Sequence, residues 1–124
     1  MSIIPFDQRE GVIWFNGEIV PWKEAKVHVL THGLHYASSV FEGERAYGGV
    51  IFKSNEHSIR LHKSAEIMDF KIPYSVAELN AAKDKVVELN GGGDQYVRPV
   101  AWRGSEMMAV SAQHNRIHVA IATW

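Results

Sequence analysis

The segment Thr31–Tyr47, THGLHYASSVFEGERAY, changes from a helical to a strand pattern partway along its length. Thr31 is a suitable N-cap for a short helix that we expect over His32–Ser39. From Val40 onward the residues alternate in type, and in a strand successive side chains point to opposite faces. One predicted face carries Phe41, Gly43 and Arg45, and the other carries Glu42, Glu44 and Ala46. The glycine in this strand predicts a close approach between the backbone and another group.

The other predicted elements are strands on either side of two helices. Asn16-Gly17 lies between two β-rich runs in Val12–Val20, VIWFNGEIV, and predicts a hairpin with a type I′ turn. Further strands are predicted at Ala25–Leu30, on both sides of Gly48-Gly49 in Val40–Phe52, at Gln95–Arg103 and at Arg116–Trp124, with a loop at Gly104–Asn115. This order predicts an α+β fold with a mostly antiparallel sheet and two main helices on one face.

Both helices are indicated by caps and by apolar residues at helical spacing. Ser54 is the predicted N-cap of a helix over Asn55–Met68, whose apolar stripe contains Leu61, Ala65 and Met68. Ser75 and Glu78 form a predicted capping box for the second helix, which we expect to stop at Asn90. The residues expected to be buried in this helix are Val76, Leu79, Ala82, Val86 and Leu89. Lys63, Lys83 and Lys85 are expected on solvated faces.

The composition is that of a globular chain and argues against several classes of function. The 124 residues suit one domain, and the hydrophobic content of 46% is ordinary. A formal net charge of −1 argues against nucleic-acid binding through a basic surface. The lack of cysteine excludes disulfides and thiolate metal sites. No signal peptide and no apolar run near the ~18 residues that span a bilayer are found, so we expect a cytoplasmic protein with no membrane partner.

The sequence ends in an apolar run, RIHVAIATW, which has the pattern of a buried strand. Domains usually end in polar residues that are poorly ordered. We therefore expect that the chain has been cut short and that a further segment once followed Trp124.

Three arginines and three aromatic residues are the candidates for binding a small anion with an apolar side. Arginine suits carboxylate and phosphate because its guanidinium is a planar fork of donors. Arg98 lies among apolar neighbours on one predicted strand face with Tyr96, and the alternative to ligand binding is an internal salt bridge to Glu42 or Glu44. Arg60, on the first long helix, has a solvated helix face as its alternative. The third arginine is Arg45, and the aromatic candidates are Tyr36, Phe41 and Tyr96, for which ordinary core packing is the alternative.

The histidines do not support a metal site. His28, His32 and His35 have a helix-like spacing, but His28 lies in an alternating, strand-like run and the HExxH motif is absent. The Gly-x-Ser-x-Gly motif of serine hydrolases is absent as well. We expect no metal and no serine nucleophile.

Several phrases in a fixed order identify a family. They are WFNGEIVPWKEAKVHVLTHGLHYASSVFEGERAY, then IRLHKSA, then QYVRP. From about Trp14 to Trp124 the chain resembles the N-terminal small domain of fold-type IV pyridoxal-phosphate enzymes, most closely the bacterial branched-chain-amino-acid aminotransferases. The resemblance implies a homodimer or higher homo-oligomer, with pyridoxal 5'-phosphate as cofactor and amino acids and 2-oxo acids as substrates.

The resemblance also implies roles for individual residues. Arg60 corresponds to the arginine that binds the cofactor phosphate, which replaces the solvated-face interpretation. Arg98 corresponds to the arginine that receives the distal carboxylate of glutamate, and Tyr96 to the phenol near the substrate carboxylate. Phe41 corresponds to a pocket wall, and Gly43 to a glycine whose backbone lies close to the substrate. The positions implied to reach the neighbouring subunit's pocket are Tyr36, Met108 and Val110, and Arg45 is implied to lie beside the site.

The resemblance also implies a catalytic lysine that this chain does not contain. In the family, the lysine that forms the Schiff base with the cofactor belongs to a larger second domain, and no lysine of this chain matches it. The full-length protein would move the amino group of leucine, isoleucine or valine to 2-oxoglutarate, and residues 1–124 alone would be inactive and would not bind the cofactor. The alternatives are the small domain of a D-amino-acid transaminase or an aminodeoxychorismate lyase, and a stand-alone non-catalytic domain that binds small anions or dimerises.

Overall fold

A computed structural model describes residues 3–124 of the chain. The strands are β1 (Val12–Phe15), β2 (Glu18–Pro21), β3 (Ser39–Phe41), β4 (Glu44–Tyr47), β5 (Val50–Ile51), β6 (Gln95–Arg103) and β7 (Ile117–Thr123). The helices are α1 (His32–Tyr36), α2 (Ser54–Ile67) and α3 (Val76–Leu89), and short 3-10 turns cover Phe6–Gln8 and Trp22–Glu24. None of the helices within residues 3–124 is long and apolar enough to cross a membrane.

The seven strands form one antiparallel sheet with β6 near its middle. Their order is β2-β1-β7-β6-β4-β5, and β3 pairs with β6 on the same side as β4. The pairing register is the same in β3 and in β4, so the two act as one strand interrupted at Glu42 and Gly43. The interruption lies opposite Pro99 and Arg98. Proline has no backbone N–H to donate to a neighbouring strand, whereas the Pro99 carbonyl accepts a bond from the Glu42 N–H at 3.0 Å.

Local signals produce the hairpin and the third helix as the sequence predicts. Asn16 and Gly17 both have positive φ (50° and 91°) and join β1 to β2 with Phe15 paired to Glu18, as a type I′ turn requires. The Ser75 hydroxyl accepts a bond from the Glu78 N–H, and the Glu78 carboxylate accepts one from the Ser75 N–H. Helix α3 therefore begins at a complete capping box, and it ends at Asn90 as expected.

The main core lies between the sheet and the two long helices. Leu61 and Ala65 of α2 and Leu79 and Val86 of α3 are almost completely buried. They pack against the helix-facing side of the sheet, where the fully buried residues are Ala46, Val97, Ala101, Val119 and Ile121. A smaller cluster on the opposite side of the sheet contains Ile13, Trp22, Trp102 and Ala120. Both long helices thus lie on one side, which confirms the α+β prediction and leaves much of the other sheet face open.

Several local predictions are wrong. Residues 25–30 form no strand, and Val27, Val29 and Leu30 are exposed, because an alternating pattern cannot supply a pairing partner. Helix α1 stops at Tyr36 because Ala37 takes a left-handed conformation with φ 56°, and the Thr31 hydroxyl donates to the His28 carbonyl instead of capping the helix. Lys53, and not Ser54, occupies the N-cap position of α2.

A further error concerns the burial of helix α3. Leu89 is 51% exposed, and Val87 takes a place in the core. Lys83 is completely buried, whereas Lys63 and Lys85 are exposed as predicted. A lysine at a core position needs a buried partner, which the helical pattern by itself does not reveal.

Candidate functional site

The face of the sheet that the long helices leave open carries an arginine held by two aromatic side chains. Arg98 Nε and Nη2 donate to the Tyr96 hydroxyl at 3.0 and 2.8 Å. The Arg98 guanidinium carbon lies 4.1 Å from the centre of the Phe41 ring, a cation–π contact. Phe41 reaches this position because it pairs with Val100 on β6, so that its side chain shares the face of Arg98. The guanidinium is therefore ordered without an acidic partner.

The internal salt bridge considered as the alternative for Arg98 does not form. Glu42 and Glu44 point to the other side of the sheet, where Glu42 pairs with Arg60 and His57 and Glu44 pairs with Lys83. Among residues 3–124, no carboxylate lies within 4.0 Å of the Arg98 guanidinium. Arg98 thus keeps Nη1 and one Nη2 hydrogen for an external acceptor.

Gly43 lies directly beside the phenol of Tyr96. A Cβ atom at this position would be 2.7 Å from the Tyr96 hydroxyl, closer than side chains approach one another. The register places Gly43 opposite Arg98 and pairs Arg45 with Tyr96. The close approach predicted for this glycine is confirmed, and within this chain its neighbour is the phenol.

An apolar hollow of about 240 Å³ lies on the same face, against Val100 and Trp102. Its lining residues are Val27, Thr31, Gly33, Leu34, Ser39, Val100 and Trp102. Val100 and Trp102 continue the alternating row that contains Tyr96 and Arg98, as the sequence predicts. A ligand with a small apolar group and a carboxylate could place the first in the hollow and the second against Arg98.

Arg60 lies on the opposite side of the sheet, in helix α2, and binds a buried carboxylate. Glu42 is 4% exposed, and its two oxygens accept bonds from Arg60 Nε and Nη2 at 2.7 to 3.1 Å. His57 Nδ1 lies 2.7 Å from the same carboxylate. Burial acts to raise the pKa of Glu42, but the bonds from Arg60 and His57 outweigh it and hold the pKa below its usual value. The carboxylate is therefore ionised at neutral pH.

A second buried acid lies two residues further along, on the same side of the sheet. Lys83 Nζ donates to Glu44 Oε1 at 2.8 Å and to the Ser54 carbonyl at 2.9 Å, and both side chains of the ion pair are completely buried. Burial raises the pKa of Glu44 and lowers that of Lys83, because each charged form loses its hydration. The pair joins α3 to β4.

The three residues implied to reach a neighbouring subunit lie away from Arg98. Tyr36 and Val110 line a separate hollow together with Arg103, and Met108 is an exposed residue of the loop that precedes β7. The buried His32 connects these parts, since its ring nitrogens lie 2.6 Å from Ser38 Oγ and 2.8 Å from the Ala109 carbonyl. The structure thus groups Phe41, Gly43, Arg45, Tyr96 and Arg98 on one face, with Arg60 and the Tyr36 group elsewhere.

The side chains of His28, His32 and His35, which the sequence offered as candidate metal ligands, bind different partners. His28 Nδ1 accepts a bond from the Leu30 N–H, His32 binds Ser38, and His35 Nε2 lies 2.8 Å from the Val29 carbonyl. Within residues 3–124, no three His, Asp or Glu side chains come together as a possible metal site.

Sequence reasoning missed Glu42 and His57 as partners of Arg60. The alternation in β3 and β4 already placed Glu42 with Glu44 and Ala46 on the face opposite Phe41. His57 and Arg60 are three residues apart, which puts them on the same face of α2. Together these two patterns could have predicted the cluster.

The chain is similar to known aminotransferases over most of its length. A model of the family described as amino-transferase class IV matches residues 39–124. The probable branched-chain-amino-acid aminotransferase of Rickettsia conorii is 44% identical over 122 residues, covering 98% of this chain and 42% of that protein. The branched-chain-amino-acid aminotransferase of Pseudomonas aeruginosa is 48% identical, covering 94% of this chain and 39% of that protein.

Solved structures agree with the sequence comparison. The branched-chain amino acid aminotransferase of Escherichia coli superposes with a TM-score of 0.89 at 41% identity, over 94% of this chain and 41% of that one. The T.th. branched-chain amino acid aminotransferase complexed with N-(5'-phosphopyridoxyl)-L-glutamate also gives 0.89, at 42% identity, over 94% of this chain and 40% of that one. The chain therefore spans about two fifths of the length of the proteins it matches.

Proposed function

The chain belongs to the class IV aminotransferase family, and from this premise we propose that it forms the small domain of a pyridoxal-phosphate-dependent branched-chain-amino-acid transaminase. The assembled enzyme moves the amino group of leucine, isoleucine or valine to 2-oxoglutarate. The observation that carries the proposal is Arg98, which is ordered by Tyr96 and Phe41 but has no carboxylate partner among residues 3–124. It shares its sheet face with Val100 and Trp102, which line an apolar hollow. Such a site suits both an aliphatic and an acidic side chain.

One pocket must accept two chemically different substrates in turn. Phe41 and the hollow beside Val100 provide apolar surface for a branched side chain. Arg98 and the Tyr96 phenol provide donors for the distal carboxylate of glutamate. Gly43 has no side chain that would collide with the Tyr96 phenol. Arg45 pairs with Tyr96 across the two strands and lies on the same face. The four side chains and the glycine form the proposed substrate wall.

The donors present in this chain fit the phosphate end of the cofactor. Arg60 is anchored through Nε and Nη2, and its side chain is 66% exposed, so Nη1 and one Nη2 hydrogen remain for a phosphate oxygen pair. When bound, pyridoxal phosphate withdraws electrons from the carbon that carries the substrate amine. We propose that this chain holds the phosphate and forms the substrate wall, and that a larger second domain supplies the lysine.

The second group of implied residues supports a proposal about assembly. Tyr36, Met108 and Val110 are exposed, and His32 connects helix α1 to the loop that carries the other two residues. We propose that they complete the pocket of a neighbouring subunit in a cytoplasmic homo-oligomer.

The experiment is to join this chain to the remaining part of the Rickettsia conorii protein, which matches it at 44% identity. The purified fusion is assayed for transfer from L-leucine to 2-oxoglutarate, with the chain alone and the remaining part alone as controls. Activity in the fusion and in neither part supports the proposal. Preference for D-amino acids would assign the chain to a D-amino-acid transaminase. A folded fusion without activity would favour a lyase or a non-catalytic anion-binding domain.

A further inference from the structure

The carboxylate of Glu42 binds one edge of the Arg60 guanidinium and leaves the other free. Oε2 accepts from Arg60 Nε at 2.9 Å, and Oε1 accepts from Nη2 at 2.7 Å and from Nε at 3.1 Å. This is a two-point contact along the Nε–Nη2 edge. A guanidinium has five N–H donors in fixed directions. The free edge, which consists of Nη1 and the outer Nη2 hydrogen, must therefore point away from Glu42.

Glu42 is itself fixed more firmly than an ordinary surface acid. Its backbone N–H donates to the Pro99 carbonyl at the interruption of the sheet, at 3.0 Å. Its side chain is 4% exposed, and His57 holds the oxygen that also accepts from Arg60 Nη2. Arg60, by contrast, has a 66% exposed side chain, and a free arginine of that exposure would sample many rotamers. The rigid partner of this pair is the acid.

We propose that Glu42 is a positioning residue, which orients Arg60 so that its free edge is preformed for a phosphate group. The identification of that phosphate as the cofactor's rests on the function proposed above. Glu42 touches neither substrate nor cofactor in this account and acts through Arg60 alone. Its contribution is to remove, before binding, the rotamer freedom that Arg60 would otherwise lose on binding.

The negative charge of Glu42 alone would weaken the binding of an anion to Arg60, whereas the proposed orienting role would strengthen it. The direction in which phosphate affinity changes when Glu42 is neutralised therefore tests the proposal. If Glu42 only lowered the local positive field, its neutralisation would strengthen the binding of an anion to Arg60. If Glu42 orients Arg60, neutralisation releases the guanidinium and weakens that binding. The two effects act on one measured constant in opposite directions.

The first measurement is the affinity of the 124-residue chain for inorganic phosphate, monitored through the nitrogen-15 resonances of the Arg60 side chain. Glu42→Gln is compared with Glu56→Gln, which removes the same charge from an exposed acid of helix α2 that pairs with Lys53 and not with Arg60. We expect Glu42→Gln to weaken phosphate binding about threefold or more, and Glu56→Gln to leave it equal or slightly stronger. Equal or tighter binding by Glu42→Gln would overturn the proposal.

The second measurement uses the unmodified chain and does not depend on whether a variant folds. We expect Arg60 Nε–H to exchange slowly with water before phosphate is added, in contrast to the exposed Arg45. Phosphate should then shift the Nη1 signal and leave the Nε–H protected from exchange, because Glu42 stays bound to the Nε–Nη2 edge of Arg60. Exchange as fast as that of Arg45, loss of protection on adding phosphate, or no shift at Arg60 would each overturn the proposal.

These results are separable from the proposed function. Positioning by Glu42 is decided on the chain alone with inorganic phosphate, whereas transamination is decided on the fusion with amino acids. A preformed Arg60 in an inactive fusion would leave the positioning role standing and remove the enzymatic one.

Discussion

Gly43 and Tyr96 approach each other closely on the open face of the sheet, and the fit depends on the absence of a side chain at residue 43. A Cβ atom at residue 43 would overlap the phenol oxygen that holds Arg98. The sequence indicated a close approach at this glycine, since glycine inside a strand is otherwise unfavourable. It could not indicate that the approaching group is the phenol of Tyr96, because that depends on the register between β4 and β6.

We expect Gly43→Ala to displace the Tyr96 phenol and loosen Arg98. In the active fusion, the KM for L-glutamate should rise about tenfold, because the arginine that receives its carboxylate is misplaced. Steady-state kinetics give this value. The variant Gly43→Ala/Tyr96→Phe serves as the control, since it removes the overlapping oxygen, and it should match Tyr96→Phe alone. A further loss in the double variant would show that the methyl group acts through another contact.

The ionisation of Glu42 predicts how its contribution to stability depends on pH. Its pKa is lower in the folded chain than the ordinary value of 4.5, since bonds from Arg60 and His57 outweigh burial. The unfolded state therefore binds a proton more readily, so this contribution is complete above pH 4.5 and is lost as the pH falls through the folded value. Glu44, Lys83 and His57 are the other ionisable groups near it.

We expect the free energy of unfolding of the unmodified chain to exceed that of Glu42→Gln at pH 7. The difference between them should shrink as the pH is lowered below about 4.5, because protonation removes the same charge that the substitution removes. Urea denaturation at a series of pH values measures the difference. A gap that widens in acid would contradict the assigned direction of the pKa.

Helix α3 shows which features of an element can be inferred from its own sequence. The capping box of Ser75 and Glu78 and the stop at Asn90 are local signals, and both predictions are confirmed. The burial of Lys83 was missed because it depends on Glu44, which comes from a different strand. The exposed stretch at residues 25–30 was mistaken for a strand for the same reason, since pairing is not a local property.

We expect Lys83→Met to lower the free energy of unfolding by about 3–5 kcal/mol, because it leaves Glu44 buried without its partner. The double variant Glu44→Gln/Lys83→Met should regain most of this loss, since a buried ion pair and an uncharged pair of similar volume are often comparable in stability. Chemical denaturation of the three chains measures both values. A double variant as unstable as Lys83→Met would mean that the loss does not come from the unpaired charge of Glu44.

The two sides of the single sheet carry different parts of the molecule. The side facing α2 and α3 contains the core and the Glu42–Arg60 contact, and the open side carries Phe41, Tyr96 and Arg98. The order of strands and helices predicted this layering, and the alternation in β3, β4 and β6 predicted which residues share a face. That Arg60 pairs with Glu42, while Arg98 is held by Tyr96 and Phe41, could be seen only in three dimensions.

The measurement that tests the central claim most directly compares two substrates in the Arg98→Ala fusion. The claim is that Arg98 on the open face receives the distal carboxylate of glutamate, while branched side chains use the apolar surface. We predict that kcat/KM for L-glutamate falls about 100-fold, because the carboxylate loses its partner, and that kcat/KM for L-leucine falls less than about tenfold. Matching losses for the two substrates would contradict the account.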